Sequence, residues 1–315
     1  QFFSGQAVFQ WEFPCHPTDL VLFRKRIGEK GVERILQISI ELHGAKAKER
    51  EVLIDSTVQE KNITFPTDTK LHNKIAIRCV AIADEAGIKL RQSYSRTIKD
   101  LLLAQRFRNH PKNYKKANRA AKKLKTIAGR LVRDVERKLP AHLSTEYENE
   151  LALFSTVLEQ KKNTKNKIYS LHEPQVYCIG KGKAHKKYEF GAKASIVVTK
   201  NSGIIVGAVN HPENIHDSKT LFEVISQSTE LRGVCPEFAI CDRGYRGKSK
   251  VGETQILIPK PSGKKATPYQ KHKARNRFRK RAGIEPIIGH LKSDYRLARN
   301  YLKGSIGDSI NLMLA

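Results

Sequence analysis

The sequence predicts a mixed α/β sheet with helices on its faces. Two short apolar runs, Val52-Leu53-Ile54 and Phe238-Ala239-Ile240-Cys241, each stop on an aspartate, Asp55 and Asp242, as buried strands closing on a loop would. From Ala117 to Leu139 apolar residues recur at steps of three and four, a helical period. After residue 170 the period turns strand-like, over Tyr188 to Thr199 and Gly203 to Asn210.

Composition narrows the class further. The 315 residues are 39% hydrophobic, enough for a real core, so an ordered chain of one elaborated domain or two ordinary ones is expected. Lys and Arg number 59 against 31 acids, a formal charge of +28. Such a surplus binds polyanions through counterion release, and nucleic acid is the expected partner. No apolar stretch reaches the length of a membrane span and no signal-peptide pattern is present, so no membrane partner and a soluble, intracellular protein are expected. The five cysteines are scattered without a C-x2-C pair, which excludes a disulfide framework and a zinc finger. The chain begins at Gln1 and ends at Ala315 inside helical sequence, so a copy incomplete at both ends is expected.

In chain order, residues 18–43 carry helix-like periodicity around Gly28 and Gly31. The strand to Asp55 follows, with Asp55-Ser56-Thr57 expected to begin a loop, and then a long helical block. Within that block the amphipathic helix stops at Pro140. Its polar face holds Lys115, Lys116, Arg119, Lys122, Lys123, Arg130, Arg133 and Arg137, which fits either a solvated face or a DNA-facing surface. A partner helix is expected from Thr145, with Glu148 completing a capping box. Lys200-Asn201-Ser202-Gly203 supplies the turn between the two later strands. A helix near Asp217 to Ser228, the strand to Asp242, a strand Gln255 to Ile258 and a C-terminal helix complete the order. The Lys-, Arg- and Pro-rich stretch 260–281 reads as a loop.

The acids carry the chemistry. A strand ending on a carboxylate is costly unless a cation or donors meet the charge. Aspartates at the ends of neighbouring strands, joined by Glu285 from a packed helix, would form an all-oxygen site for divalent ions acting on phosphodiesters. If one helix runs through residues 284–302, Ile284, Ile287, Ile288, Leu291, Tyr295, Ala298 and Leu302 share the face that lies on the sheet. Glu285, Lys292, Arg296 and Arg299 then share an adjacent stripe, cations beside an acid, placed to hold DNA phosphates. Pro286 sits best in a first turn, so the helix is expected to begin near Glu285, which leaves the phase of Arg281 open. Arg243, next to Asp242, and Lys183 and Lys187, in the basic turn 181–187, are further phosphate-contact candidates. That turn lacks P-loop spacing. His216-Asp217 reads as a helix cap.

Asp55-Ser56-Thr57 and Asp242-Arg243-Gly244-Tyr245, each after an apolar strand, together with Arg281-x3-Glu285-x6-Lys292, resemble the DDE transposases of bacterial insertion sequences. More narrowly they resemble the branch with a Tyr-x2-Arg-x3-Glu-x6-Lys signature, with Phe278 in place of the tyrosine. The resemblance implies a ribonuclease-H-like fold with a helical insertion after the first strand. It divides the chain into a partial N-terminal region over residues 1–48, for end binding or dimerisation, and a catalytic domain over 49–315 with an insertion over about 71–170. Asp55, Asp242 and Glu285 would then hold two Mg2+ ions, with Mn2+ as a substitute. Arg281 and Lys292 would contact transposon-end DNA. The implied activity is cut-and-paste transposition by a homodimer on double-stranded DNA, terminal repeats and target. A nuclease without strand transfer and an inactive DNA-binding remnant are the alternatives.

Overall fold

The computed structural model describes residue 11 and residues 15–180, 186–211, 213–259 and 266–315. In chain order its elements are α1 (Pro17–Leu42), β1 (Glu51–Glu60), α2 (Asp68–Glu85), α3 (Ser95–Leu103), α4 (Pro111–Lys138), α5 (Ala141–Glu159), β2 (Tyr177–Gly180), β3 (Tyr188–Thr199) and β4 (Ile205–His211). Then follow α6 (Asp217–Arg232), β5 (Phe238–Ile240), β6 (Lys250–Val251), β7 (Thr254–Leu257), α7 (Pro268–Arg281), α8 (Ile284–Ser293) and α9 (Gly304–Leu314). The chain divides into two units, Gln1–Glu60 with Ala192–Ala315, and Lys61–Gly191.

In the first unit the strands lie in the order β4-β3-β1-β5-β7-β6. β1, β5 and β7 are parallel neighbours, whereas β3 and β4 form an antiparallel hairpin. The Lys200 N–H donates to the Glu51 carbonyl, setting the end of β3 beside the start of β1. Helices cover both faces of this mixed sheet, and the fold is ribonuclease-H-like. Side chains alternate across a strand, so each apolar run feeds two cores. Val52, Ile54, Ala239 and Cys241 pack with Leu221, Val224 and Ile225 of α6 and Ile40 of α1. Leu53 and Ile240 pack with Ile284 and Leu291 of α8 and Leu312 of α9. Each such buried aliphatic side chain contributes about 1.5–3 kcal/mol.

The second unit is a helical core in which the apolar stripe of α4, Leu124 to Val135, packs against α2 and α5. β2 pairs antiparallel with Tyr188 to Gly191. The stretch expected as a helical insertion, about 71–170, lies inside this unit.

Several boundaries differ from the sequence reading, each for a local reason. β1 does not stop at Asp55 but continues to Glu60, because Thr57, Val58 and Gln59 are buried and the strand keeps a neighbour beyond its pairing with β5. α5 starts at Ala141, directly behind Pro140, so Thr145 lies inside the helix and forms no capping box. Residues 268–281 are not a loop but the helix α7, started by a Thr267–Gln270 capping box with Pro268 at its first position. The helix expected over residues 284–302 ends as α8 at Ser293, where Ser293 Oγ donates to the Gly289 carbonyl and to Asp294. Arg296 then turns at φ 62°, and buried Leu297, not exposed Tyr295, continues the apolar face. Arg296 and Arg299 therefore lie outside the helical stripe of Glu285 and Lys292.

β4 packs tightly on α6. A Cβ at Gly207 would lie 3.1 Å from Val197 Cγ2 and 3.2 Å from Ser228 Cβ. Gly207→Ala is therefore expected to cost about 1–3 kcal/mol, read as a lower urea midpoint at unchanged slope. An unchanged midpoint would mean that this contact yields freely.

Candidate active site

The parallel register sets the first two acids. Leu53 is paired with Ile240 across β1 and β5. Asp55 and Asp242 each lie two residues further on, so the pleat sends both toward the face that α8 covers. α8 is seated there by Ile284 and Leu291, and Glu285 occupies its first turn next to Pro286. Asp242 caps the short 3-10 turn Arg243–Tyr245, its Oδ1 accepting from the Gly244 N–H at 2.7 Å. Asp55 Oδ1 accepts from the Ser56 N–H at 2.8 Å.

Arg281, the last residue of α7, reaches all three acids. Its Nη2 lies 3.1 Å from Asp55 Oδ2 and 3.9 Å from Asp242 Oδ2, and its Nη1 lies 3.8 Å from Glu285 Oε1. The carboxylates differ in burial, from 17% side-chain exposure at Asp55 to 65% at Glu285. Burial raises the Asp55 carboxyl above its ordinary value; the Ser56 N–H and Arg281 oppose that rise, and the charges of Asp242 and Glu285 add to it. Among the described residues no three His, Cys, Asp or Glu side chains stand close enough together to hold a metal ion. The donor set still fits a hard divalent cation, because it is all carboxylate oxygen and the place among the acids is already held by a cation, the Arg281 guanidinium.

The other expected contacts are distributed differently. Arg243 is exposed in the turn after β5, and Lys292 is half-buried on α8. Arg296 and Arg299 are exposed beyond that helix. In the second unit Lys187 is exposed and lies over the Tyr188 ring, 5.7 Å from its centre. Lys183 lies outside the described residues. The α4 cations are exposed, and Arg130, Arg133 and Arg137 line an open cleft of about 560 Å³ with Arg91 and Tyr94. No helix among the described residues is long and apolar enough to cross a membrane.

Sequence reasoning missed the surroundings of Asp217. His216 does cap α6, accepting from the Ser218 N–H. Asp217 itself faces elsewhere: its Oδ1 accepts from Ser56 Oγ at 2.9 Å and from Lys193 Nζ at 3.0 Å. The available signal was Lys193, a charged residue inside the apolar run of β3 that requires a counter-charge.

On this mixed, ribonuclease-H-like sheet, acids from two parallel neighbours and a covering helix meet one guanidinium. The chain belongs to the Transposase DDE domain family, whose profile matches residues 148–315. That segment contains Asp242, Arg281 and Glu285, whereas Asp55 lies before it. An uncharacterized protein of Rhizobium meliloti, ORF8 in the nfe locus, is 38% identical over 119 residues, which are 36% of this chain and 58% of that relative's length. No solved structure matches the chain. DDE transposases act on DNA and use divalent metal ions.

The raised Asp55 value sets a sign. Its ionised form loses stability as pH rises from the ordinary carboxylate range through the folded value, and a neutral replacement removes that loss. Asp55→Asn at pH 7 without divalent ions should unfold about 2 °C higher or more by calorimetry. A lower midpoint would show that pairing with Arg281 outweighs burial.

Proposed function

We propose that this chain is a DNA transposase of the cut-and-paste type, cleaving at transposon ends and joining the freed end to target DNA. The gathering of Asp55, Asp242 and Glu285 around one guanidinium carries the reading. Those three acids are the residues that would hold Mg2+, or Mn2+ in its place, as a pair of ions. When bound, the ions supply Lewis acidity at the scissile phosphodiester and lower the pKa of a coordinated water. Hydrolysis breaks one P–O bond and frees a 3′-hydroxyl. That hydroxyl displaces a target-strand oxygen in a second exchange, and no covalent bond to the protein is needed.

The remaining assignments concern how DNA is held. Arg281 serves as counter-charge to the acids, and a phosphate of the transposon end competes for the same guanidinium. Lys292, Arg243, Arg296 and Arg299 lie on the same unit as the acids and bind flanking phosphates. Lys183 and Lys187, in the basic turn 181–187, are further phosphate contacts. Residues 1–48 serve end binding or dimerisation, and residues 49–315 are the catalytic domain, with the helical stretch over about 71–170 as its insertion. There the exposed cations of α4 face DNA, because this one helix carries Lys115, Lys116, Arg119, Lys122 and Lys123 on a side without acids. Two protomers bring two transposon ends together.

Asp55→Ala, Asp242→Ala and Glu285→Ala should each abolish 3′-end cleavage of a terminal-repeat duplex, a loss of at least about 10³-fold, with duplex affinity nearly unchanged in a gel-shift titration. Full cleavage by any of the three would sink the triad. Pre-cut ends that yield no joined product would reduce the enzyme to a nuclease. For the α4 face, Arg130→Glu with Arg133→Glu should lower the slope of log K against log salt by about 2. An unaltered slope would identify a merely solvated face.

A further inference from the structure

We infer that Asp217 is a positioning residue that sets the side chains of Asp55 and Asp242 from the opposite side of the sheet, an inference that rests on the function proposed above. The pleat gives the first half of the argument. Asp55 points toward α8, so its neighbour Ser56 points toward the α6 side, where the N-terminus of α6 presents Asp217. Ser56 is thus held at two atoms. Its hydroxyl donates to Asp217 Oδ1 at 2.9 Å, and its amide donates to Asp55 Oδ1 at 2.8 Å. A change in the seat of the hydroxyl turns the same residue whose N–H orients the acid.

The second half concerns Asp242. Its Oδ1 is held by the Gly244 N–H, and a Cβ on Gly244 would lie 3.0 Å from Asp242 Oδ1 and 3.1 Å from Asp217 Oδ2. The Asp217 carboxylate therefore holds Ser56 through Oδ1, while its Oδ2 and Asp242 Oδ1 bound the space beside Gly244 that a side chain there would need. Asp217 is fixed in turn by Lys193, whose Nζ donates to Asp217 Oδ1 at 3.0 Å and to the Ile215 carbonyl at 2.5 Å. The Lys193 side chain is only 10% exposed, so the pair is built into the sheet and is no surface contact. His216 takes the capping role, which leaves the Asp217 carboxylate to these partners. Removing a group that orients a metal-binding carboxylate typically costs about 10–100-fold in affinity for the ion.

The test uses the full chain and Mn2+ alone, with free ion followed by paramagnetic resonance. Ser56→Ala removes the link and leaves the Lys193–Asp217 pair intact. It should weaken Mn2+ uptake about tenfold while the unfolding midpoint stays within about 2 °C, and Ser56→Thr should restore uptake. Asp217→Asn should weaken uptake as well, and combining it with Ser56→Ala should weaken it no further, because both break one link. Wild-type uptake in both single variants, or a loss matched by a falling midpoint, overturns the positioning role and leaves the triad standing. A wild-type chain that takes up no Mn2+, or loses none on Asp55→Ala, overturns the triad and this role together.

Discussion

The parallel pairing of β1 with β5 is the constraint on which the rest depends. It is short, three residue pairs from Glu51 to Leu53, yet it determines that two acids 187 positions apart share one face. A slip of one residue in either strand would turn its acid into the α6 core and break both apolar layers. The placing of the two acids and the packing of the core are therefore the same requirement on register. Parallel strands need a crossover between them, and here the crossover holds the entire helical unit as well as β3, β4 and α6.

The sheet also separates two electrostatic environments. On the α8 side three carboxylates meet one guanidinium, and burial opposes the charge of the most enclosed acid. On the α6 side a single carboxylate is matched by an enclosed ammonium and a hydroxyl. Ser56 joins these environments through its own backbone. A paired buried charge is tolerated where an unpaired one is not, so the α6 side is the fixed reference for the α8 side.

Much of this was legible in the sequence where a local pattern decides the outcome. Apolar runs ending on acids, the helical period of α4 and the Lys200–Gly203 turn all depend on neighbours within a few residues. Helix ends were less legible. Thr267-Pro268-x-Gln270 is a complete start signal for α7, but the basic composition of that stretch reads as a loop. β1 outruns Asp55 because long-range burial of Thr57 and Gln59, rather than their own preference, keeps the chain extended. Asp217 was out of reach for a simpler reason. Its partner Ser56 is 161 residues away, and its local context already had a sufficient explanation as a cap. Arg281 was read as a DNA contact, and only the fold places it among the acids.

Counted by formal charge, the three acids and Arg281 together carry −2. Electroneutrality then limits what can share that space. One divalent cation would balance the quartet as it stands, whereas two would leave an excess of +2, which a phosphodiester strand with its own negative charges is suited to neutralise. On the proposed reading, the arginine would make a second cation more favourable once the polyanion has arrived, by the balance of local charge.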